Sequence, residues 1–463
     1  MEILSRINSL VWGVPTLVLI LGVGLYLTWR TGFGQLRLFP RAVKEFAGMC
    51  TGKEKGGFHA LCTALAATVG TGNIAGVAGA IALGGPGSIF WMWVSAILGM
   101  ITKFAEAVLS VHFRQRTGEG YAGGPMYIIE QGMGKAWRPL AVLYCFFGTV
   151  AAFGMGNATQ INAVAESING IGQGTALGGV VAGALALVAA WSLLGGAKRI
   201  GNVAAVLVPV ASVCYILLCL GALLEKAAFL PSAMESIFVG AFSPKAVTGG
   251  ALGSAFLAQR VGTSRGVFTN EAGMGTAAMA HGTSPVAHPA QQGLMGIMEV
   301  FLDTILICTM TALVILTSGV PIPYGFDEGA ALTVRAFAAT YGSWVSIPIA
   351  LFLCCFALAT MVGWGFYGLE CARYLFGACS HKPFVLLQTI AAMASLVLGT
   401  GTVWLLAEIV NGLMAIPNLI ALAALMPVTV SLYTDYRKQS ARRRSVQFSM
   451  LFKGRETTAP PDS

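Results

Sequence analysis

Apolar runs of roughly 20 residues recur along the whole chain, separated by short segments where lysines, arginines and prolines collect. Each run is long enough to carry a helix across a hydrocarbon core about 30 Å thick. The pattern predicts eleven spans, near residues 12–29, 59–82, 88–112, 140–165, 176–194, 201–223, 249–280, 292–317, 343–376, 384–400 and 403–432. Two of them look defective. The second carries ATVGTGNIAG (67–76) in its middle, and the seventh carries RVGTSRGVFTNEAGMGTAAMAHG (260–282). Lipid offers these polar residues and glycines no hydrogen bonds, so irregular backbone at that depth must be buried in protein or line a cavity.

The two defects lie five spans apart. An odd number of spans per unit makes two copies insert in opposite senses, and paired interruptions of this kind point to an inverted-repeat transporter with a midplane site. Spans 2–6 (about 59–223) and 7–11 (about 249–432) form the expected repeats, with span 1 added in front. The whole is one all-α polytopic membrane domain over 1–435, followed by a basic tail, 436–463. With the N-terminus outside, fourteen loop lysines and arginines and seven in the tail fall on the inner side. Only Arg6, Lys226, Lys245 and Arg335 fall outside. That asymmetry orients the chain, N-terminus out and C-terminus cytoplasmic.

Composition agrees: 56% of residues are hydrophobic and 10% charged, against about 25% charged in soluble domains. The net charge of +9 follows topology rather than a nucleic-acid surface. The ten cysteines show no CxxC or Cys/His cluster, and most lie inside spans, where packing is the expected role. The first apolar run lacks an A-x-A site and is followed by further spans, so it reads as a retained helix. Gly70, Gly72 and Ala75 also satisfy the dinucleotide fingerprint G-x-G-x-x-G/A. That reading needs a preceding strand and an acid about 20 residues on, whereas the nearest downstream acid is Glu106, inside the next span. No Ser/His/Asp arrangement, phosphate loop or metal-spaced histidine set is present, so nothing supports an enzyme or a cofactor.

A broken helix exposes N–H groups at one half-helix end, suited to a carboxylate, and carbonyls at the other, suited to an ammonium or Na⁺. Thr71, Gly72 and Asn73 sit at such a break, although Gly70, Gly72, Gly76 and Gly79 also fit a close-packing ridge. Asn270 and Glu271 are the matching pair in span 7. A carboxylate at membrane depth is a functional hypothesis by default; Glu271 serves a substrate ammonium, a cation, a proton or an internal ion pair with Arg265. Asp303 in span 8, with Glu299 four residues earlier on one face and Thr304 and Thr309 nearby, suits an ion site, a gate or a scaffold. In span 4, Asn157, Gln160 and Asn162 cluster. The i, i+3 spacing puts the first two on one face, for a zwitterion or as helix–helix glue. Thr360 and Trp364 in span 9 are candidates for an ion and a pocket wall, against simple packing.

These pieces resemble the alanine or glycine:sodium symporters. GGPGSIFWMWVSAILGM (84–100) is similar to that family's signature, with Ser88 where alanine is common. ATVGTGNIAGVA, SRGVFTNEAGMG, FLDTILICTMTALVIL and GWGFYGLECARYLFG resemble its other blocks, in order, over nearly the whole chain. The resemblance implies a leucine-transporter-type fold in a bacterial inner membrane and Na⁺-coupled uptake of L-alanine, with D-alanine or glycine as further substrates. It places the substrate at Thr71, Gly72, Asn73, Asn157, Gln160, Asn270, Glu271 and Trp364. Sodium, by helix position, falls at carbonyls near Ala67 and Gly70 with Thr360. A proton-coupled or ion-independent exchanger of the same fold is the alternative, and a channel the more distant one.

Overall fold

The computed structural model describes residues 2–51, 55–118, 120–169, 175–243, 255–326, 329–397 and 400–456. Apart from one short antiparallel ribbon, Gln115–Thr117 against Gly120–Ala122, its regular structure is helical. Among the described residues eight helices are long and apolar enough to cross a membrane. They are Arg6–Arg30, Gly87–His112, Lys135–Asn169, Leu177–Leu194, Gly196–Glu225, Pro289–Thr317, Ser343–Phe376 and Thr402–Gln439. They coincide with predicted spans 1, 3, 4, 5, 6, 8, 9 and 11. Predicted span 10 is the shorter helix His381–Ser395.

Spans 2 and 7 are broken where the sequence placed the defects. Half-helix 2a, Lys55–Thr68, is followed by a 3₁₀ turn, Thr71–Asn73, and half-helix 2b, Ala75–Gly84. Half-helix 7a, Ala255–Asn270, gives way to an irregular segment and then to 7b, Thr276–Gly282. The first residues expected for span 7, 249–254, lie outside the described residues. Three further helices, Gly34–Cys50, Leu230–Phe242 and Ala330–Tyr341, lie between spans where none was expected. They are short or amphipathic: in Gly34–Cys50, Leu38, Ala42 and Met49 are buried while Arg37 and Lys44 are exposed. A hydropathy window averages such faces away.

Span 3 is the central post. Its most apolar stretch is 83% buried, against 28% in span 6. On span 6, Val206, Val210, Val213, Leu217, Leu220 and Leu224 are exposed at intervals of three and four, which makes a lipid-facing stripe. Small residues bring span 3 close to its neighbours. A Cβ on Gly262 of 7a would stand 2.2 Å from the Ser88 carbonyl oxygen, and one on Gly296 of span 8 would stand 2.9 Å from that of Lys103. Half-helix 7a and span 8 therefore pack closely against span 3.

Candidate functional site

Half-helix 2a closes with the Val69 N–H on the Leu65 carbonyl, and the ladder then stops. Gly70 donates its N–H to the side-chain oxygen of Asn73 at 2.8 Å, which diverts it from the Ala66 carbonyl. Asn73 and Ile74 close the 3₁₀ turn onto Gly70 and Thr71. Among the described residues the N–H groups of Thr71 and Gly72 meet no acceptor. The Ala67 carbonyl, whose helical donor would be the Thr71 N–H, is likewise released from the ladder. Thr71 donates its hydroxyl to Gln160 Oε1 at 2.9 Å. Thr360 Oγ1, fully buried and without a hydrogen-bond partner, faces Gly70, where a Cβ would lie 2.5 Å away.

The second break is held differently. Each N–H from 271 to 275 has an acceptor inside the protein. Glu271 donates to the Val267 carbonyl at 2.7 Å and Met274 to the Glu271 carbonyl at 3.1 Å. Ala272 donates to Asn270 Oδ1 at 3.0 Å. Gly273 and Gly275 both donate to Glu106 Oε1, at 3.0 and 2.9 Å. This diverts the donors that would have taken the Phe268, Thr269 and Asn270 carbonyls, so 7a ends in released acceptors. Glu271 itself has φ +55°, a conformation few non-glycine residues adopt. Its carboxylate is pinned by Thr276 Oγ1 at 2.5 Å and by Trp364 Nε1 at 2.6 Å.

A polar seam joins the breaks through span 8. Asn73 Nδ2 donates to Asp303 Oδ1 at 2.6 Å, and Thr304 Oγ1 donates to Asp303 Oδ2 at 2.7 Å. Asn270 Nδ2 donates to Thr304 Oγ1 at 3.1 Å, with Thr269 Oγ1 at 3.4 Å from the same oxygen. Toward the 7b end, Lys103 Nζ pairs with Glu299 at 3.1 Å, and Glu299 also meets His281 Nε2 at 2.9 Å. The centre thus buries Glu106, Glu271, Glu299 and Asp303 completely, against one buried ammonium among the described residues, Lys103. Buried charges need partners, and this excess of acid favours cations.

Thr71, Gly72, Asn73, Gln160, Asn270, Glu271, Trp364, Thr360, Gly70 and Ala67 are gathered around the two breaks. Asn157 is not with them: it lines a small cavity with Ala186 and Leu193 of span 5 and Gln388 of span 10. A π-helical turn at Gly154–Ala158 widens the backbone there, so the i, i+3 spacing does not give Asn157 and Gln160 one shared direction. A second π-helical stretch, Phe301–Cys308, separates Asp303 from Glu299 in the same way. The internal pair between Glu271 and Arg265 is not formed. Arg265 bridges to Glu408 at 3.5 Å, and Glu271 is taken by Thr276 and Trp364. Sequence reasoning gave no role to Glu106, Asn418 or Thr333. Thr333 donates to the Ile74 carbonyl at 3.0 Å from an unexpected helix. The signal for Glu106 was present: it is a carboxylate within a span, the same signal that singled out Glu271.

A model described as the sodium:alanine symporter family matches residues 1–450. An uncharacterised transporter of Haemophilus influenzae is 42% identical over 447 residues, covering 94% of this chain and 96% of that one. The sodium/alanine symporter AgcS of Methanococcus maripaludis is 42% identical over 458 residues, covering 95% and 99%. The probable sodium/glutamine symporter GlnT of Bacillus subtilis is 35% identical over 446 residues, covering 95% and 91%.

Proposed function

Since this chain belongs to the sodium:alanine symporter family and is a multi-pass membrane transporter rather than an enzyme, we propose that it takes up a small neutral amino acid, alanine or glycine, together with Na⁺. The observation that carries this reading is the opposite character of the two breaks. The first offers unclaimed N–H groups at Thr71 and Gly72; in the second every N–H from 271 to 275 is taken, and 7a ends in released carbonyls. A zwitterion fits across that pair in one sense, carboxylate on the first break and ammonium toward the second.

Gln160 braces Thr71 in this arrangement, and Asn73 shapes the turn while reaching Asp303. Asn270 and Glu271 form the second wall, and the Trp364 ring, held by its bond to Glu271, closes the side-chain end. A rigid wall excludes larger side chains by volume, whereas excluding glycine is harder because one methyl is worth only about 1–3 kcal/mol. Asn157 acts one layer out, through the span 4 backbone that carries Gln160.

Sodium is cargo here. The Ala67 and Gly70 region with Thr360 Oγ1 supplies hard oxygens, and the unpartnered buried Thr360 hydroxyl is what a cation site predicts. The seam of Asn73, Thr269, Asp303 and Thr304 has the donor chemistry for a second ion. Ion and amino acid together satisfy the released groups, which permits closure and then opening to the other side. We place this activity on eleven spans with a 5+5 inverted repeat of the leucine-transporter type and one added N-terminal helix. The protein sits in a bacterial inner membrane, N-terminus out. Proteoliposomes test the coupling: labelled alanine accumulates above its external level under an inward Na⁺ gradient and not under an equal K⁺ gradient. Equal accumulation in both contradicts symport.

A further inference from the structure

Glu106 is outside the set of residues assigned to substrate or sodium, yet it holds the backbone of the second break. It is fully buried on the central span 3. Its Oε1 accepts from Gly273 N–H at 3.0 Å, Gly275 N–H at 2.9 Å and Asn418 Nδ2 of span 11 at 2.8 Å. Asn418 Nδ2 also donates to the Gly273 carbonyl at 2.9 Å, so the same two side chains grip both faces of that residue. The fit is close: a Cβ on Gly275 would stand 2.6 Å from Asn418 Cγ and 2.5 Å from Pro125, and both Gly273 and Gly275 have positive φ.

A trans peptide holds its N–H and C=O on opposite sides. Drawing the N–H groups of 273 and 275 onto span 3 therefore turns the carbonyls of Ala272 and Met274 the other way. The Met274 carbonyl shows where that leads: it accepts from Tyr144 Oη of span 4 at 3.1 Å. Span 4 is the helix that carries Gln160. A carboxylate behind the loop adds a field that favours an ammonium in front of it and disfavours a carboxylate.

We infer that Glu106, assisted by Asn418, is the positioning residue that sets substrate polarity. By occupying the N–H groups of Gly273 and Gly275 it turns the linker between 7a and 7b toward the ammonium end of the zwitterion. The inference rests on the functional reading above and deepens it. Without Glu106, two N–H groups are freed, the carbonyls lose their fixed direction, and the two breaks become alike.

The test uses full-length protein in detergent with saturating Na⁺, and three probes: labelled alanine, and as competitors the half-molecules ethylamine and propionate. Glu106→Leu, which removes the acceptor together with the charge, is expected to weaken alanine at least tenfold. It should weaken ethylamine by a similar factor while propionate competes as well as before or better. Asn418→Ala, which removes one donor and leaves both backbone N–H groups on Glu106, shifts the same ratio in the same direction but less; it carries the test if Glu106→Leu melts at a lower temperature than the assay allows. Alanine affinity within twofold of wild type in both variants overturns the inference. So does equal weakening of both half-molecules, the mark of a merely structural role. Loss of alanine binding in Asn73→Ala with none in these variants leaves the transport reading standing and removes only the polarity assignment.

Discussion

The two broken helices meet the same difficulty, freed backbone groups at membrane depth, and resolve it in opposite ways. The first break shapes its own backbone turn, and other helices reach it through the Thr71 and Asn73 side chains and the Ile74 carbonyl. Asn73 caps Gly70, three residues make a 3₁₀ turn, and the N–H groups of Thr71 and Gly72 are among those left open. The second break is held from outside, by a carboxylate on span 3, an amide on span 11, a hydroxyl on span 4 and an indole on span 9. A segment fixed by several helices reports their relative positions; a segment fixed by itself keeps its shape while they move. Under the proposed function, similar glycine-rich stretches in one sequence serve as differently anchored receptors for the two ends of a zwitterion.

Breaking the scaffold of the second half has the largest expected effect. Lys103→Met leaves Glu299 without its ammonium in the interior, a loss of about 3–5 kcal/mol. It is read as a large fall in melting temperature in detergent, with aggregation the extreme outcome. Next come changes at the first break that leave the Lys103–Glu299 pair in place. Asn73→Ala and Gln160→Ala each weaken alanine about a hundredfold, or about 2.7 kcal/mol, in a binding titration, with melting temperature reduced far less than in Lys103→Met. Wild-type affinity in both misplaces the site.

A smaller and more selective effect separates ion from amino acid. Gly70→Ala drives a Cβ onto the Thr360 hydroxyl, 2.5 Å away, and Thr360→Val removes that hydroxyl. Both raise the Na⁺ concentration for half-maximal binding by about tenfold, the worth of one lost ligand at about 1.4 kcal/mol. Alanine affinity at saturating Na⁺ stays near wild type. The finest test is Trp364→Phe, which keeps a ring and deletes one N–H to the Glu271 carboxylate. Loss of a hydrogen bond to a charged group is worth about 1.5–3 kcal/mol, and the change weakens alanine while leaving Na⁺ dependence unchanged.

Much of this comparison was legible in the chain. The breaks announced themselves because glycines, Asn73, Asn270 and Glu271 have no reason to lie mid-membrane unless backbone is used there. The partners were not legible, for three physical reasons. Hydropathy averages hid the helix that brings Thr333 onto the Ile74 carbonyl. Ideal 3.6-residue geometry mis-set Asn157 and Glu299, because π-helical stretches at 154–158 and 301–308 change the facing of what precedes and follows them. Long-range choices, such as Arg265 taking Glu408 and Glu271 taking Trp364, depend on which helices are neighbours, and one chain's periodicity does not say.

Under the proposed symport the two breaks form one coupled site for an amino acid and Na⁺. Linkage makes it directly measurable, since two ligands that share a coupling energy must strengthen each other by the same factor. In equilibrium titrations of the purified protein, raising Na⁺ from about 1 to about 100 mM is predicted to tighten alanine at least tenfold, a coupling of about 1.4 kcal/mol within the usual range. Saturating alanine must tighten Na⁺ by that same factor, and Thr360→Val must shift the dependence to higher Na⁺. An alanine Kd that does not move across that Na⁺ range contradicts the account.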